Sequence, residues 1–195
     1  MSQDAAGAGA HRHAADGGPR FCPRCGDALG EALVEGRRLA ACPQCGWVAF
    51  RDPKVVAVAV LDSGGGAVWL IRRAIAPCIG EWALPGGYVD FDEHPRTAAA
   101  RECREEIGCD VEIDELVAVE HAAFRNGGVV VVAYAGRIVD GVPAPGAEAL
   151  EVAAHAAGAP PPLAFTTHEQ ILRRYAGSRR GAPAEPGTGP GALAP

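Results

Sequence analysis

Apolar positions along the chain follow two rhythms, one suited to strands and one to helices. Val55-Val56-Ala57-Val58-Ala59-Val60-Leu61 is an unbroken, mostly β-branched run, which predicts a strand buried on both faces. Asp62 to Gly66 reads as a turn, and Val68-Trp69-Leu70-Ile71 returns as a second strand, completing a hairpin. Gly80 to Pro85 reads as a short strand. It leads to Pro85-Gly86-Gly87, where proline's missing donor and glycine's loose backbone predict a turn in place of a continued strand. A helix is expected from Pro95, because proline suits the first helical position and Gly108 the position just past the end. On that helix Ala100, Cys103 and Ile107 share a face that can pack on a sheet. Residues 111–120 and 129–134 then read as strands with a turn over 124–128, and Arg137-Ile138-Val139 continues the second strand or begins a third. Glu148 and Glu151 fall in a loop leading to Val152, and 153–162 is loop-like. Thr166 or Thr167 can cap a last helix from His168 to about Ala176, with Ile171, Leu172 and Tyr175 on its packing face.

Composition divides this series into parts. At 195 residues the chain has room for one ordinary domain, or for a small module plus a domain of about 100–150 residues. Its 48% hydrophobic content supports a core, while 26 Gly and 16 Pro imply many turns and loose ends. The division expected is a disordered tail over 1–20, a small cysteine module over 21–50, a main domain over 51–176 and a second disordered tail over 177–195. A net charge of −6 disfavours nucleic acid, since neutralising phosphates needs a basic surface. No apolar run approaches the roughly 20 residues a bilayer-spanning helix needs, and the N-terminus lacks the apolar core of a secretory signal. The expectation is a soluble, cytoplasmic protein.

Four of the seven cysteines stand in a repeated knuckle. Cys22-Pro23-Arg24-Cys25-Gly26 is matched by Cys42-Pro43-Gln44-Cys45-Gly46, with sixteen residues between Cys25 and Cys42. This spacing falls in the range of four-cysteine zinc sites. Four thiolates make a closed tetrahedral site with no position for water, so the Zn2+ bound by Cys22, Cys25, Cys42 and Cys45 is expected to be structural. In so short a segment the metal would supply much of the folding free energy.

The helix beginning at Pro95 carries Glu102, Glu105 and Glu106 at spacings of three and four. Like charges so placed repel by about 0.2–0.5 kcal/mol per pair. The spacing alone suits a solvated acidic face as well as a site for a hard divalent cation, which binds through oxygen. The order of residues adds information. Gly87, five residues, Glu93, seven residues and then Arg101-Glu102-Cys103-Arg104-Glu105-Glu106-Ile107-Gly108-Cys109 resembles the signature of the Nudix hydrolases. Cys103 and Cys109 replace the usual bulky aliphatic residues, and cysteine packs as a small hydrophobe.

The resemblance implies an α/β fold, an α/β/α sandwich with a mixed sheet, preceded here by the N-terminal zinc ribbon. It also implies hydrolysis of a nucleoside diphosphate linked to another group, with Mg2+ or Mn2+. On the matching positions, Glu105 and Glu106 are implied metal ligands with the Gly87 carbonyl, Glu102 a ligand or the base that deprotonates water, and Glu93 and Arg101 a supporting pair. Glu148 and Glu151 stand in P-G-A-E-A-L-E-V, which is similar to a segment that supplies a further glutamate in a zinc-ribbon branch described as ADP-ribose or FAD pyrophosphatases. Asp52-Pro53-Lys54 and Leu163-Ala164-Phe165 also resemble that branch. Arg72 and Arg73, with Gly86 and Gly87, are the candidate contacts to a small-molecule nucleotide. The S-Q-P-W stretch of NADH pyrophosphatases is absent after Cys109, so ADP-ribose or FAD is expected ahead of NADH or a nucleoside triphosphate. A non-catalytic nucleotide sensor is the alternative from another class, and a homodimer is in keeping with the resemblance.

Overall fold

The computed structural model describes residues 18–124 and 127–180. The chain divides into two compact units, one built on the N-terminal residues through Pro53 with 123–128, the other on the remainder. The first 17 and last 15 residues, where most of the two expected tails falls, lie outside the described residues.

In the first unit, strands β1 (Gly30–Val34) and β2 (Arg37–Ala41) form an antiparallel hairpin. Glu35 and Gly36 between them both have positive φ, 49° and 78°. That geometry belongs to the two-residue turn whose twist matches the strands it joins. The two knuckles are built alike. Gly26 N–H donates to Cys22 O and Gly46 N–H to Cys42 O, while Cys22 N–H donates to Asp27 O and Cys42 N–H to Trp47 O.

The second unit is organised on β3 (Lys54–Gly64), the valine run of the sequence. Its side chains alternate between two cores. Val58 and Val60 join Leu70, Ile171, Leu172 and Tyr175; Ala57 packs with Ala98, Ala99 and Tyr134, and Ala59 and Leu61 with Cys103 and Ile107. Helix α1 (Pro95–Ile107) therefore covers one face and α2 (Thr166–Arg180) the other. β3 runs parallel to β8 (Gly127–Asp140) and antiparallel to β4 (Ala67–Arg73). The order is β5-β4-β3-β8-β7, where β5 is Trp82–Ala83 and β7 is Asp110–Phe124, with β9 (Ala149–Ala156) added to β4 and β6 (Gly86–Tyr88) to β3. This is the expected sandwich with a mixed sheet.

Several boundaries differ from the sequence expectation. The β3–β4 hairpin pairs only near its turn, at Asp62↔Val68 and Gly64↔Ala67; beyond it β3 takes β6 as its neighbour and β4 takes β5 and β9. Gly86 and Gly87 are accordingly strand residues, opposite Val58 and Ala57. A Cβ on Gly86 would overlap the Ala57 carbonyl oxygen and Val58 Cα, so glycine permits this pairing instead of ending it. β9 occupies the stretch read as loop, with Glu151 within it. β8 continues unbroken through Arg137-Ile138-Val139, and 125–126, at the centre of the expected turn, lie outside the described residues. α2 begins at Thr166 and runs on to Arg180. The carbonyl of Phe165 accepts from His168 N–H and Glu169 N–H, so Phe165 stands at the cap and the threonines expected there are the first two helical residues. No described helix is long and apolar enough to cross a membrane.

Candidate active site

Helix α1 is set by its ends. His94 accepts a hydrogen bond from Arg96 N–H at 3.1 Å, Pro95 opens the helix, and Gly108 closes it at φ 69° with its N–H on Arg104 O. Its buried positions are Ala98, Ala99, Cys103, Glu106 and Ile107. Glu106 therefore belongs to the packing face instead of an acidic face held apart from it, and Ala100 lies beside that face, half-buried.

Glu106 is 4% exposed. Its Oε2 accepts from Gly86 N–H at 2.8 Å. Burial disfavours its charged form and pushes its pKa up to about 8; the Gly86 hydrogen bond and the charge of Arg73 oppose this, and the charges of Glu102 and Glu148 add to it. Burial likewise raises Glu102, with Arg101 opposing and Glu105 and Glu148 adding. Gly87 lies against Glu102, where any Cβ would overlap the carboxylate.

Arg101 joins most of the remaining groups. It donates to both oxygens of Glu93, through Nε at 3.1 Å and Nη2 at 2.9 Å. Nη1 reaches Glu102 Oε1 at 2.8 Å and Glu105 Oε2 at 3.2 Å, and Nη2 also reaches the Tyr88 carbonyl. The bidentate bond to Arg101 holds Glu93 below the usual carboxylate range. One guanidinium thus ties the segment after β6 to the helix and offsets the repulsion of closely spaced acids. The oxygens of Glu102, Glu105 and Glu106 do not converge as the cysteine sulfurs do. Among the described residues only the four cysteines bring three or more ligand atoms within 4.8 Å of one another.

The structure separates the two loop glutamates. Ala144 N–H and Gly146 N–H donate to Ile107 O and Glu106 O, fastening 144–146 to the end of α1, and a Cβ on Gly146 would overlap Glu105 O. Glu148 follows, and its charge is felt by Glu102 and Glu106. Glu151 instead sits opposite Arg72 across β4 and β9, 3.7 Å from its Nη1, both side chains about half exposed. Arg72 also donates to Gly80 O, while Arg73 donates to Pro77 O and lies 5.3 Å from the Phe165 ring. Of these two arginines, Arg73 is the one whose charge stands among the main influences on Glu106.

His168 has no role in the sequence reading. It is 5% exposed, and its Nδ1 accepts from Leu84 N–H at 3.1 Å. Burial and the charge of Arg73 lower its pKa to about 3, so the ring is neutral. The signal available was a histidine three and four residues before Ile171 and Leu172, on the apolar stripe of α2. A cleft of about 660 Å³ is lined by Pro160, Pro161, Leu172, Arg173 and neighbours; it includes none of the acids above, and donor chemistry places the site on α1.

In the ribbon, Cys22 Sγ lies 3.5 Å from Cys45 Sγ and Cys25 Sγ 3.4 Å from Cys42 Sγ. Metal–sulfur bonds of about 2.3 Å in a tetrahedron give sulfur separations of about 3.8 Å, so four thiolates in this cluster fit Zn2+. On α1 the donor set is carboxylate oxygen, which fits Mg2+ or Mn2+.

Residues 51–175 match the model of the NUDIX domain. An ADP-ribose pyrophosphatase of Methanocaldococcus jannaschii is 30% identical over 128 residues, 65% of this chain and 75% of that protein. A MutT-like protein of Streptomyces ambofaciens is 46% identical over 61 residues, 31% of this chain, and the match spans only 38% of that protein's length. Among solved structures, a NUDIX hydrolase from Nitrosomonas europaea superposes with a TM-score of 0.73 at 33% identity, covering 85% of this chain and 96% of that one. An ADP-ribose pyrophosphatase from Streptococcus suis gives 0.55 at 26%, covering 69% and 97%. With the acid-bearing helix, the glycine strand beside it and the sandwich that holds both, these likenesses place the chain in the Nudix hydrolase family.

Proposed function

We propose that the chain is a divalent-metal-dependent hydrolase of the pyrophosphate bond in a nucleoside diphosphate joined to a second group, ADP-ribose or FAD, giving AMP and a phosphorylated partner. The observation that carries this reading is the arrangement on α1, where Arg101 gathers Glu93, Glu102 and Glu105 while Glu106 is buried against Gly86 N–H. Relatives named as ADP-ribose pyrophosphatases support the substrate class.

Glu102, Glu105, Glu106 and the Gly87 carbonyl would hold Mg2+ or Mn2+, which when bound neutralises diphosphate charge and makes an attached water more acidic. Glu106 would bind the cation as the carboxylate, its proton passing to solvent. Arg101 keeps Glu102 and Glu105 at fixed places on the helix through Glu93, and Gly87 leaves room for the Glu102 carboxylate. Glu148, exposed and within electrostatic reach of Glu102 and Glu106, takes the proton from the attacking water; Glu102 is the alternative base. Arg73 faces the substrate's phosphates, and Glu151 neutralises Arg72 at the rim. Cys22, Cys25, Cys42 and Cys45 hold a structural Zn2+.

The test is incubation of the purified protein and Mg2+ or Mn2+ with ADP-ribose, FAD, NADH and nucleoside triphosphates, with products separated and Glu105→Gln and Glu106→Gln as controls. Release of AMP from ADP-ribose or FAD that falls in both variants supports the reading. Turnover confined to NADH or triphosphates moves the substrate assignment. Binding without turnover of any of them makes the chain a sensor.

A further inference from the structure

The short segment between β5 and β6 is fixed from three directions. Leu84 is 1% exposed and Pro85 is fully buried, so every backbone polar group there needs a partner within the protein. Pro85 has no N–H, and its carbonyl accepts from Ala59 N–H of the central strand at 2.9 Å. Gly86 N–H goes to Glu106 Oε2, on the α1 side of the sheet. Leu84 N–H receives its acceptor from a side chain, His168 Nδ1 on α2, on the other side.

From this we infer that His168 is a positioning residue for the segment leading into β6, acting through Leu84 and Gly86 on the carboxylate of Glu106. The chain of contacts is short. His168 Nδ1 fixes Leu84 N–H, Pro85 is gripped by β3, and one residue later Gly86 N–H sets the direction of the Glu106 oxygen. Without the acceptor, Leu84 N–H is buried and unpaired, a cost that the segment relieves by shifting. A shift at Leu84 reaches Gly86 N–H through Pro85, two residues along, at the end of β6 where pairing with β3 begins. Phe165 holds the imidazole plane edge-on, with ring centres 5.0 Å apart. Because Nδ1 accepts, the ring proton is on Nε2, and burial together with Arg73 keeps the ring neutral.

This inference rests on the proposed function, since it concerns the same metal site. Its test uses three variants of the full chain. His168→Asn keeps an oxygen near the place of Nδ1, His168→Gln moves the amide one bond further, and His168→Leu removes the acceptor. Mn2+ binding is read from the electron paramagnetic resonance signal of free Mn2+, and exchange of the Leu84 amide from peptide-level hydrogen exchange. We expect His168→Leu and His168→Gln to bind Mn2+ about tenfold more weakly, with faster exchange at Leu84, and His168→Asn to restore both. If His168→Leu does not fold, the Asn and Gln pair decides alone. Equal Mn2+ binding by wild type, Asn and Gln overturns the positioning role, and so does equal loss in both variants, which would mark a packing role only. A wild type that binds no Mn2+ overturns the proposed function and this inference together; one that binds it normally while the Asn and Gln variants match it overturns the inference alone.

Discussion

The buried carboxyl of Glu106 makes a prediction that needs no substrate. Its ordinary pKa of 4.5 rises to about 8 in the folded, metal-free chain, chiefly because the charged form is taken out of water. Between these values the unfolded chain has lost the proton and the folded chain keeps it, so raising the pH favours unfolding. The stability due to this group is fully present below pH 4.5 and is lost as pH rises through about 8. At about 1.4 kcal/mol per pH unit, the span amounts to roughly 5 kcal/mol for a rigid site, and water admitted on ionisation would reduce it to a few. The perturbation is Glu106→Gln, which keeps the shape and the acceptor for Gly86 N–H but cannot ionise. Urea unfolding at pH 5, 6, 7 and 8, without Mg2+ or Mn2+ and with zinc retained, is followed by tryptophan fluorescence, since Trp69 and Trp82 lie in the main sheet. Wild type should lose about 2–4 kcal/mol more than the variant over this range. Saturating Mn2+ should reverse the trend in wild type only, because the cation replaces the proton. Parallel pH slopes for the two proteins would refute the argument.

Glycine at 86 and at 87 serves different ends. Gly86→Ala drives a methyl group into the backbone of β3 and should destabilise the fold by about 3 kcal/mol or more, visible as a lower urea midpoint. Gly87→Ala has the Glu102 carboxylate, the end of a flexible side chain, as its nearest obstacle, so its midpoint should move little while Mn2+ affinity and turnover fall. Glu148→Gln should lower kcat by about 10²-fold or more, whereas Glu151→Gln, which loses only a half-exposed ion pair with Arg72, should stay near wild type; equal losses would contradict the division of the two glutamates. Replacing Cys42 with Ala should cut zinc content from about one per chain to near none, measured by metal analysis of protein purified without chelator.

Local chemistry made much of this molecule legible in its sequence. Pro95 and Gly108 set the ends of α1, the valine run announced the central strand, and the paired knuckles brought four sulfurs together. What escaped depended on partners distant in the chain. β9 is half alanine, with Val152 its one β-branched residue, and its place comes from pairing along the length of β4. Pro85-Gly86-Gly87 carries the chemistry of a turn, yet the closeness of β3 converts it into a strand. The resemblance paired Arg101 with Glu93; its further bonds to Glu102 and Glu105 depend on how the segment after β6 folds back over the helix. Nothing in the order of residues shows that Glu106 is buried while Glu105, one position earlier, has a side chain 57% exposed. His168 looked like part of a helix start, because its acceptor faces a segment 84 positions away.

The parting of β3 from β4 beyond their first rungs has a mechanical consequence. The glycine segment is wedged into that fork, clamped by the central strand below and by a helix on either side. Shifting it to admit a ligand would mean prying the sheet open. Accommodation of a substrate should therefore fall to exposed side chains above it, Glu148 among them, with the floor beneath working as an anvil.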